Sequence, residues 1–496
     1  MIPLTSKRAA VVGDLPDVVR SAAALLKRQG VVVSTHTSRE FGASVLETLG
    51  TVDLIVWCGS RGGDVAAGIA DAAARGIPVL GERELAFQQS YCLHVAVTGA
   101  CGKRTTAELI AHLLKSTGRR VAVAAWPDQP ACGWVEQTRD LDFLVHAVEP
   151  DEIGYLKYFR PVVAVLLNAP ESSETETGEG GVRLYSRLFA MQQPFDWAIV
   201  EARAMARMEA ASMRLPGKGI TFSSTGRQAD LGFERGLLVS RLEGWSGPLW
   251  DMQQGFLRGA HFAEDMMASL AVGRVLRLSL EEMTAALADF VAPPGRFEWL
   301  GEVGGVGFVH DGKAHHQEAL ERALMGLAPI PPENPFIWLI TGGDRVGGQV
   351  YDLGPVLSAR VKHAFVLGEG APILRAAWQL FTPCTAVTSL LDAGQRAVEQ
   401  AAPGDVILYS PGCPSCGTTS ESDARTDPFR EVFRTRVQQW GGSEGLGVPT
   451  GVGMELSSAP RPFVGKPLSN HSQRPGNLRT ADVPQLSRES SNSHRS

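Results

Sequence analysis

The sequence contains no apolar run of about eighteen residues, the length that a membrane-spanning helix requires. Its opening stretch, MIPLTSKRAAVVG, also lacks the long apolar core of a secretion signal. Together these two absences predict a cytoplasmic protein without a membrane span.

The chain also lacks an excess of basic residues. Its 496 residues include 47 Lys and Arg against 53 Asp and Glu, for a formal net charge of -6 and a pI near 6.0. Proteins that bind nucleic acid or anionic membranes usually present a positive surface. The charge balance argues against nucleic acid as a partner and favours small-molecule chemistry or protein binding.

Cysteine is scarce and scattered, and the seven thiols are an odd number. This pattern fits reduced thiols better than a disulfide framework. Only Cys413 and Cys416, in Cys-Pro-Ser-Cys, have the spacing of a metal or redox pair. Because no second ligand pair accompanies them, we favour a turn with two incidental thiols.

What the sequence does have is length and a repeated alternation of short β-branched strands with amphipathic helices. The length suggests roughly three domains, and the alternation predicts parallel sheets with helices on their faces. We therefore expect an α/β protein of three domains, each a mostly parallel sheet with flanking helices. The expected bounds are residues 1–92, 93–293 and 294–456, followed by a disordered tail, 457–496, that has few apolar residues.

One stretch is typical of phosphate binding. Residues 94–126, HVAVTGACGKRTTAELIAHLLKSTGRRVAVAAW, predict a strand ending at Thr98 and a helix beginning near Lys103. Gly99 and Gly102 permit a tight turn between them. Backbone N–H groups and the helix N-terminus attract phosphate, and the lysine ammonium reaches its outer oxygens. The Gly-x-x-Gly-Lys spacing is shorter than that of the general P-loop.

Further stretches surround this loop in a fixed order: ARGIPVLGERELAF before it, then RPVVAVLLNAP, LRGAHFAEDMMASLAVGRVL, GRFEWLGEVGGVGFVHDGKAHH, WLITGGDRV and GDVILYSPGCPSC. With the loop, they resemble the Mur ligase family, whose own loop reads roughly G-T-N-G-K-T/S-T. The match is to the D-glutamate-adding members and covers about residues 5–440. The resemblance implies an N-terminal Rossmann-like domain for a UDP-linked precursor, a central P-loop ATPase-like domain and a C-terminal Rossmann-like domain.

The family forms an amide between the carboxylate of a UDP-muramoyl precursor and an amino acid in peptidoglycan synthesis. ATP first phosphorylates the carboxylate, and the amine then attacks the acyl phosphate. The resemblance therefore implies ATP and Mg²⁺ as cofactors. If the chain is active, its implied partner is a UDP-muramoyl precursor; if it is not, the implied partners are cell-wall synthesis proteins. A monomer is expected in either case.

Residue by residue, the resemblance assigns four overlapping sets of positions. The nucleotide-binding set is Gly99, Gly102, Lys103, Thr105, His261, Arg296 and Asp311. The catalytic set is Lys103, Lys313 and Arg296, and the set that holds the incoming amino acid is Lys313 and Ser415. The metal-binding set is Thr105 and Glu149.

The chain departs from the family's pattern around the metal. Arg104 stands where the family has a Mg²⁺-binding Ser or Thr, and a guanidinium cannot coordinate a cation. A shifted loop would have to use Thr105 or Thr106 instead. Tyr185 aligns with the lysine that the family carbamylates to bridge Mg²⁺, and a phenol cannot be carbamylated.

The acidic segment that should complete the metal site is also different. A carboxylate would have to come from Glu149, Asp151 or Glu152, and the stretch EPDE is alternatively a solvated acidic turn. At the nucleotide base, the family's His-Asn pair becomes His261-Phe262. His310, His315 and His316 also cluster in sequence, and we interpret them as ordinary loop-facing histidines.

Two hypotheses follow from this mixture of retained and changed positions. The first is a ligase-like protein with impaired or lost catalysis, a pseudo-ligase or scaffold in envelope precursor synthesis. The alternative is an active ATP-dependent amide-forming ligase whose site uses substitute residues such as Thr105, Glu149 and Arg187.

Overall fold

The computed structural model of the chain describes residues 7–38, 52–59, 68–69, 71–72, 74–169, 181–225, 228–252, 260–327, 334–344, 346, 350–413 and 427–440. All of these residues belong to one compact unit, Met1–Ala459. The predicted disordered tail, residues 457–496, lies outside the described residues.

The first sheet consists of four parallel strands in the order β2-β1-β3-β4. The strands are Arg8–Val12 (β1), Val32–His36 (β2), Leu54–Trp57 (β3) and Val79–Gly81 (β4). Helix Pro16–Arg28 connects β1 to β2, and helix Glu82–Gln89 follows β4 directly. Because parallel strands end at the same edge, Gly13 and Gly59 lie together beyond the carboxyl ends of β1 and β3.

The central sheet has nine strands in the order β13-β12-β11-β10-β9-β8-β5-β7-β6. Strands β5 to β11 are parallel, and β12 and β13 continue the sheet in antiparallel pairs. The strands are Leu93–Thr98 (β5), Val121–Ala125 (β6), Phe143–Ala147 (β7), Val163–Leu166 (β8), Trp197–Glu201 (β9), Lys218–Ser223 (β10), Leu231–Glu234 (β11), Leu237–Ser240 (β12) and Gly247–Asp251 (β13). The helices are Lys103–Ser116, Pro150–Ile153, Gly181–Ser186, Ala202–Ala210, Ala260–Val275 and Leu280–Asp289, with 3₁₀ turns at Ala131–Gly133, Gln137–Arg139 and Arg187–Phe189.

Strand β5 marks the point where the strand order reverses, since β7 and β6 lie on one side of it and β8 and β9 on the other. In open α/β sheets, ligand crevices form beyond the carboxyl ends of the strands at such a point. Thr98 ends β5 and helix Lys103–Ser116 begins five residues later along the chain, as the sequence predicts. The topology therefore positions the glycine-lysine turn at the crevice.

The third sheet has six strands in the order β14-β15-β19-β16-β17-β18, of which only β14 is antiparallel to its neighbour. The strands are Glu298–Val303 (β14), Val306–His310 (β15), Ile337–Gly342 (β16), Val361–Leu367 (β17), Cys384–Ala386 (β18) and Val406–Tyr409 (β19). The helices are Gln317–Gly326, Gly354–Arg360, Ala371–Trp378, Leu390–Gln400 and Pro428–Trp440, with a 3₁₀ turn at Val350–Leu353.

Helix Glu82–Gln89 joins the first sheet to the central one through two fully buried charges. The Glu84 carboxylate accepts hydrogen bonds from the backbone N–H groups of residues 157–159, at 2.9 to 3.1 Å. The Arg83 guanidinium donates to both carboxylate oxygens of Glu152, at 3.2 and 3.1 Å. Since each charge is matched by several partners, it is tolerated in the interior.

The α/β class and the mostly parallel sheets are confirmed. Each sheet falls within one of the three predicted domains, whose bounds stay predictions. The antiparallel strands β12 and β13 are an addition that the sequence pattern did not reveal. Among the helices that the structure describes, none combines the length and the apolar character of a membrane-crossing segment.

Candidate ligand-binding cleft

A cavity of about 1030 Å³ opens beyond the carboxyl end of β5. The central sheet contributes the loop 100–105, the turn 125–128 and three acidic residues, Glu149, Asp151 and Glu152. Arg296, Lys313 and Arg430 approach from the third sheet, and Gly59 from the first. The cavity is thus a cleft that all three sheets share.

The loop depends on its glycines. Gly102 has φ +83°, a left-handed conformation, and a Cβ there would lie 2.5 Å from Asp265 Oδ1. Asn168 holds the loop from the next strand, because its Oδ1 accepts from Cys101 N at 3.0 Å and its Nδ2 donates to Cys101 O at 3.1 Å. Sequence reasoning identified Gly99 and Gly102 but missed Asn168, although it follows β8 at the same sheet edge.

Lys103 lies in the first turn of its helix and is already fully engaged. Its Nζ donates to Gly99 O and Ala100 O, both at 3.0 Å, and lies 3.0 Å from Glu149 Oε2. The first backbone N–H groups of a helix have no intrahelical partner and attract anions. A phosphate group at the loop would therefore find donors but would compete with Glu149 for the ammonium.

Arg104, the next residue, is paired with the turn that follows β6. Its side chain is 13% exposed, and its Nη1 donates to Asp128 Oδ2. Lys313 Nζ approaches the same carboxylate oxygen to 3.6 Å. Asp128 was not predicted as a site residue, yet it follows β6 at the carboxyl edge of the sheet, where functional side chains collect.

Arg296 lines the cleft close to Arg104. Burial, and then the Arg104 charge, lower the pKa of Arg296. The Nε atoms of both guanidinium groups are buried without a hydrogen-bond partner among the described residues. The structure therefore brings together three of the predicted cations, Lys103, Arg296 and Lys313, and adds Arg104 to them.

The residues at the loop do not fit a Mg²⁺ site. Of the two candidate hydroxyls, only Thr105 lines the cleft, because Thr106 is fully buried. The Glu149 carboxylate forms an ion pair with Lys103. Over the described ranges, no three side chains of His, Cys, Asp or Glu group together in a way that would hold a metal ion. Mg²⁺ at a phosphate site usually takes one or two protein oxygen ligands beside water and phosphate, and Arg104, in the first turn of the helix, cannot supply one.

Tyr185 and Phe262, two positions where the sequence departs from the family's pattern, are both buried. Tyr185 is 3% exposed, lines the cleft, and has a phenol pKa raised by burial. Phe262 contacts Phe297 with ring centroids 4.9 Å apart, so an apolar contact occupies this position. Arg187 lies in the 3₁₀ turn Arg187–Phe189 and does not line the cleft.

Asp311 lies behind the cleft rather than in its wall. Its carboxylate accepts from Phe297 N at 2.9 Å and from Ser410 Oγ at 3.0 Å. Burial raises the pKa of Asp311 to about 7. Because Phe297 follows Arg296, Asp311 holds the turn that carries this arginine.

Two other predicted positions, the His261 side chain and Ser415, lie outside the described residues.

His310 forms a pair that the sequence did not predict. Its Nε2 lies 2.6 Å from Asp427 Oδ2, and its Nδ1 accepts from Gly312 N at 3.2 Å. All three histidines interpreted as loop-facing, His310, His315 and His316, line the cleft, but the His310 side chain is largely buried against Asp427. Asp427 lies 117 residues away in the chain, so no local pattern reveals the pair. It fixes the end of β15, three residues before Lys313.

Comparison with known proteins identifies relatives of this sequence. The family description "Mur ligase, glutamate ligase domain" matches residues 295–413. The UDP-N-acetylmuramoylalanine–D-glutamate ligase of Desulfitobacterium hafniense (strain Y51) is 30% identical over 383 residues, which cover 75% of this chain and 81% of that protein. The ligase of the same name from Acidobacterium capsulatum is 29% identical over 419 residues, covering 84% and 89%.

A solved structure shares the fold. UDP-N-acetylmuramate-alanine ligase MurC from Thermotoga maritima superposes with a TM-score of 0.57 and 16% sequence identity. The match covers 88% of this chain and 100% of that one. At this identity the likeness concerns the arrangement of the sheets and helices.

Proposed function

Because this chain belongs to the Mur ligase family, we propose that it acts in peptidoglycan precursor synthesis as a relative of the D-glutamate-adding ligases whose amide-forming turnover is impaired or lost. It keeps the cleft as a binding site for nucleotide phosphate and a UDP-muramoyl precursor. A cytoplasmic location, a monomeric state and partners among cell-wall synthesis proteins belong to the same proposal.

The observation that carries this proposal is the pair of ion pairs at the loop. Lys103 is paired with Glu149, and Arg104 is paired with Asp128. Phosphoryl transfer needs positive charge that is free to stabilise the transferring group, together with a metal that bridges its oxygens. Here the loop cations are neutralised by carboxylates, and the metal ligands do not fit.

The expected loss of catalytic rate is large. Removing one group that stabilises transition-state charge commonly slows a reaction about a hundredfold or more, roughly 3 kcal/mol. By the family resemblance, Arg104 stands at the position of the loop hydroxyl and Tyr185 at that of the bridging lysine. Groups that act as a unit do not contribute additively, so the two losses are not summed.

ATP itself fits the cleft better than Mg²⁺ does. The amides at the start of helix Lys103–Ser116 and the side chains of Lys103 and Arg296 would hold its phosphates, and ATP would supply an activated phosphoryl group. Lys313, in the turn after β15, would orient a carboxylate-bearing substrate. None of these roles needs Arg104 to coordinate a cation.

A second candidate is the active ligase, favoured by one observation. Glu149, Asp151 and Glu152 all line the cleft opposite Arg296 and Lys313, so carboxylates and cations are available within one cavity. In this alternative, Glu149 and Thr105 would hold a metal ion, which would neutralise phosphate charge, and Lys103 would lose its ion pair with Glu149.

One assay separates the two candidates. The full chain is incubated with UDP-N-acetylmuramoyl-L-alanine, D-glutamate and Mg²⁺-ATP, and phosphate release is followed. The Desulfitobacterium hafniense relative serves as the reference enzyme. We expect substrate-dependent release at least about a hundredfold below the reference. Substrate-dependent turnover near the reference rate that disappears in Lys103→Ala would contradict the proposal and establish the active ligase.

A further inference from the structure

Arg104 and Arg296 are two like charges held near one another in the cleft wall. Each has a buried Nε atom without a hydrogen-bond partner among the described residues. Like charges repel most strongly where water is excluded. The carboxylates of Asp128 and Glu149 already oppose part of this repulsion, and an anion in the cleft between the two groups would relieve the rest.

We infer that Arg104 takes the place of the divalent cation at the loop, so that the cleft holds a pyrophosphate group without Mg²⁺. The inference rests on the proposed function, because it assumes that this cleft is the phosphate-binding site.

The chemistry of the side chain suits this role. A guanidinium presents paired N–H donors that match phosphate oxygens and keeps its charge at any physiological pH. Arg104 follows Lys103 in the first helical turn, so its positive charge adds to that of the helix N-terminus. Its paired carboxylate, Asp128, is shared with Lys313.

A divalent cation at the same place would be disfavoured. It would stand beside the Arg104 charge, and Glu149 would have to leave Lys103 to bind it. Repulsion would raise the free energy of the bound cation, and its binding would also break the ion pair between Lys103 and Glu149. The loop is arranged for an anion paired with protein cations, rather than for an anion that arrives with its own metal.

The recognised chemistry is a pyrophosphate group, which a nucleoside diphosphate or free pyrophosphate could both supply. Calorimetric titration of the full chain with ADP, and separately with inorganic pyrophosphate, distinguishes these sources. Each titration is run with Mg²⁺ and with excess EDTA. We expect ADP to bind in EDTA with a Kd no more than about twofold weaker than in Mg²⁺. Equal affinities for the two ligands would assign recognition to the pyrophosphate alone, and tighter ADP binding would add a nucleoside contact.

Variants at Arg104 test the residue itself. Arg104→Ser should weaken ADP binding in EDTA at least tenfold and make binding depend on Mg²⁺. Arg104→Lys keeps the charge without the fork and should lose only a few-fold. Arg20→Ser, on the exposed face of helix Pro16–Arg28, is the matched control and should leave both titrations unchanged. Thermal unfolding of each variant checks that it folds.

The inference fails if wild-type ADP binding weakens more than tenfold in EDTA, if Arg104→Ser binds like wild type in EDTA, or if ADP does not bind under either condition. These outcomes are separate from the fate of the proposed function, which depends on substrate-dependent turnover. An inactive protein that binds ADP only with Mg²⁺ would overturn the inference alone.

Discussion

Lys313 reaches across the cleft from the third sheet to Asp128 on the central sheet, with 3.6 Å between Nζ and Oδ2. The same oxygen accepts from Arg104, so one carboxylate neutralises two cations. Asp128→Asn removes the negative charge and keeps the shape. We expect the variant to bind ADP up to about fivefold more tightly, because partly exposed ion pairs of this kind contribute about 1 kcal/mol or less.

Salt and a control variant check the electrostatic origin of that effect. The gain in Asp128→Asn should shrink at high salt, since screening weakens the carboxylate in the wild type. Asp142→Asn removes a more exposed Asp–Arg ion pair, to Arg120, outside the cleft, and should not change ADP affinity. Unchanged affinity in Asp128→Asn would mean that the carboxylate does not compete with the ligand.

Glu149→Gln tests the other ion pair at the loop. The amide keeps an oxygen acceptor but releases the charge of Lys103, so ADP affinity should rise about threefold. Glu136→Gln, which removes an exposed ion pair to Arg28, is the control. If Glu149 instead serves as a metal ligand, Glu149→Gln will lose affinity in the presence of Mg²⁺. Titration with and without Mg²⁺ separates these two results.

The buried histidines His94 and His146 should make stability depend on pH. Arg83 Nη1 lies 2.6 Å from His146 Nδ1, and His146 Nε2 lies 2.8 Å from His94 Nδ1. Since an arginine only donates, His146 accepts at Nδ1 and donates from Nε2, which leaves both rings neutral. Burial, and then the Arg83 charge, lower the pKa of His94 to about 4.

The sign of the effect follows from this lowered pKa. Unfolded His94 binds a proton near its ordinary pKa of about 6.5, whereas folded His94 stays neutral until about pH 4. Its contribution to stability is therefore complete above pH 6.5 and is lost as the pH falls toward 4. Between pH 7.5 and pH 5, wild type should lose about 2 kcal/mol relative to His94→Gln. Urea unfolding of both proteins at the two pH values measures this, and an unchanged difference would show that the prediction is wrong.

Gly102→Ala should be far more damaging than Gly118→Ala. Both glycines are left-handed, with φ of +83° and +77°, so each alanine costs about 1 to 2 kcal/mol of backbone strain. At Gly118 a Cβ meets nothing within 4 Å, but at Gly102 it would lie 2.5 Å from Asp265 Oδ1. We expect Gly102→Ala to cost about 3 kcal/mol or more and to abolish ADP binding. Equal losses in urea unfolding would contradict the clash.

Site residues that belong to a local sequence pattern were predicted from the sequence. Gly102 and Lys103 are placed correctly because a strand, a tight turn and a helix follow one another within twenty or so residues. Asn168 and Asp427 escaped prediction because their partners, Cys101 and His310, lie far away in the chain and meet them only through the sheet topology.

Arg104 shows the limit in another way. Its identity signalled a departure from the family's metal ligand, but the sequence did not reveal the Asp128 carboxylate that pairs with it. Only the three-dimensional structure shows whether a substituted residue has a new partner. The structure turns an apparent loss at Arg104 into a defined ion pair.

The contacts of helix Glu82–Gln89 have a consequence for the modularity of this chain. Breaking a buried charge away from its partners commonly costs about 3 to 5 kcal/mol, comparable with much of a domain's stability. If residues 1–89 alone were grafted onto a foreign central domain, Arg83 and Glu84 would lose their partners, which lie between residues 146 and 159. The first sheet therefore cannot be exchanged between chains by itself. A graft that folds stably must also include the segment between residues 146 and 159.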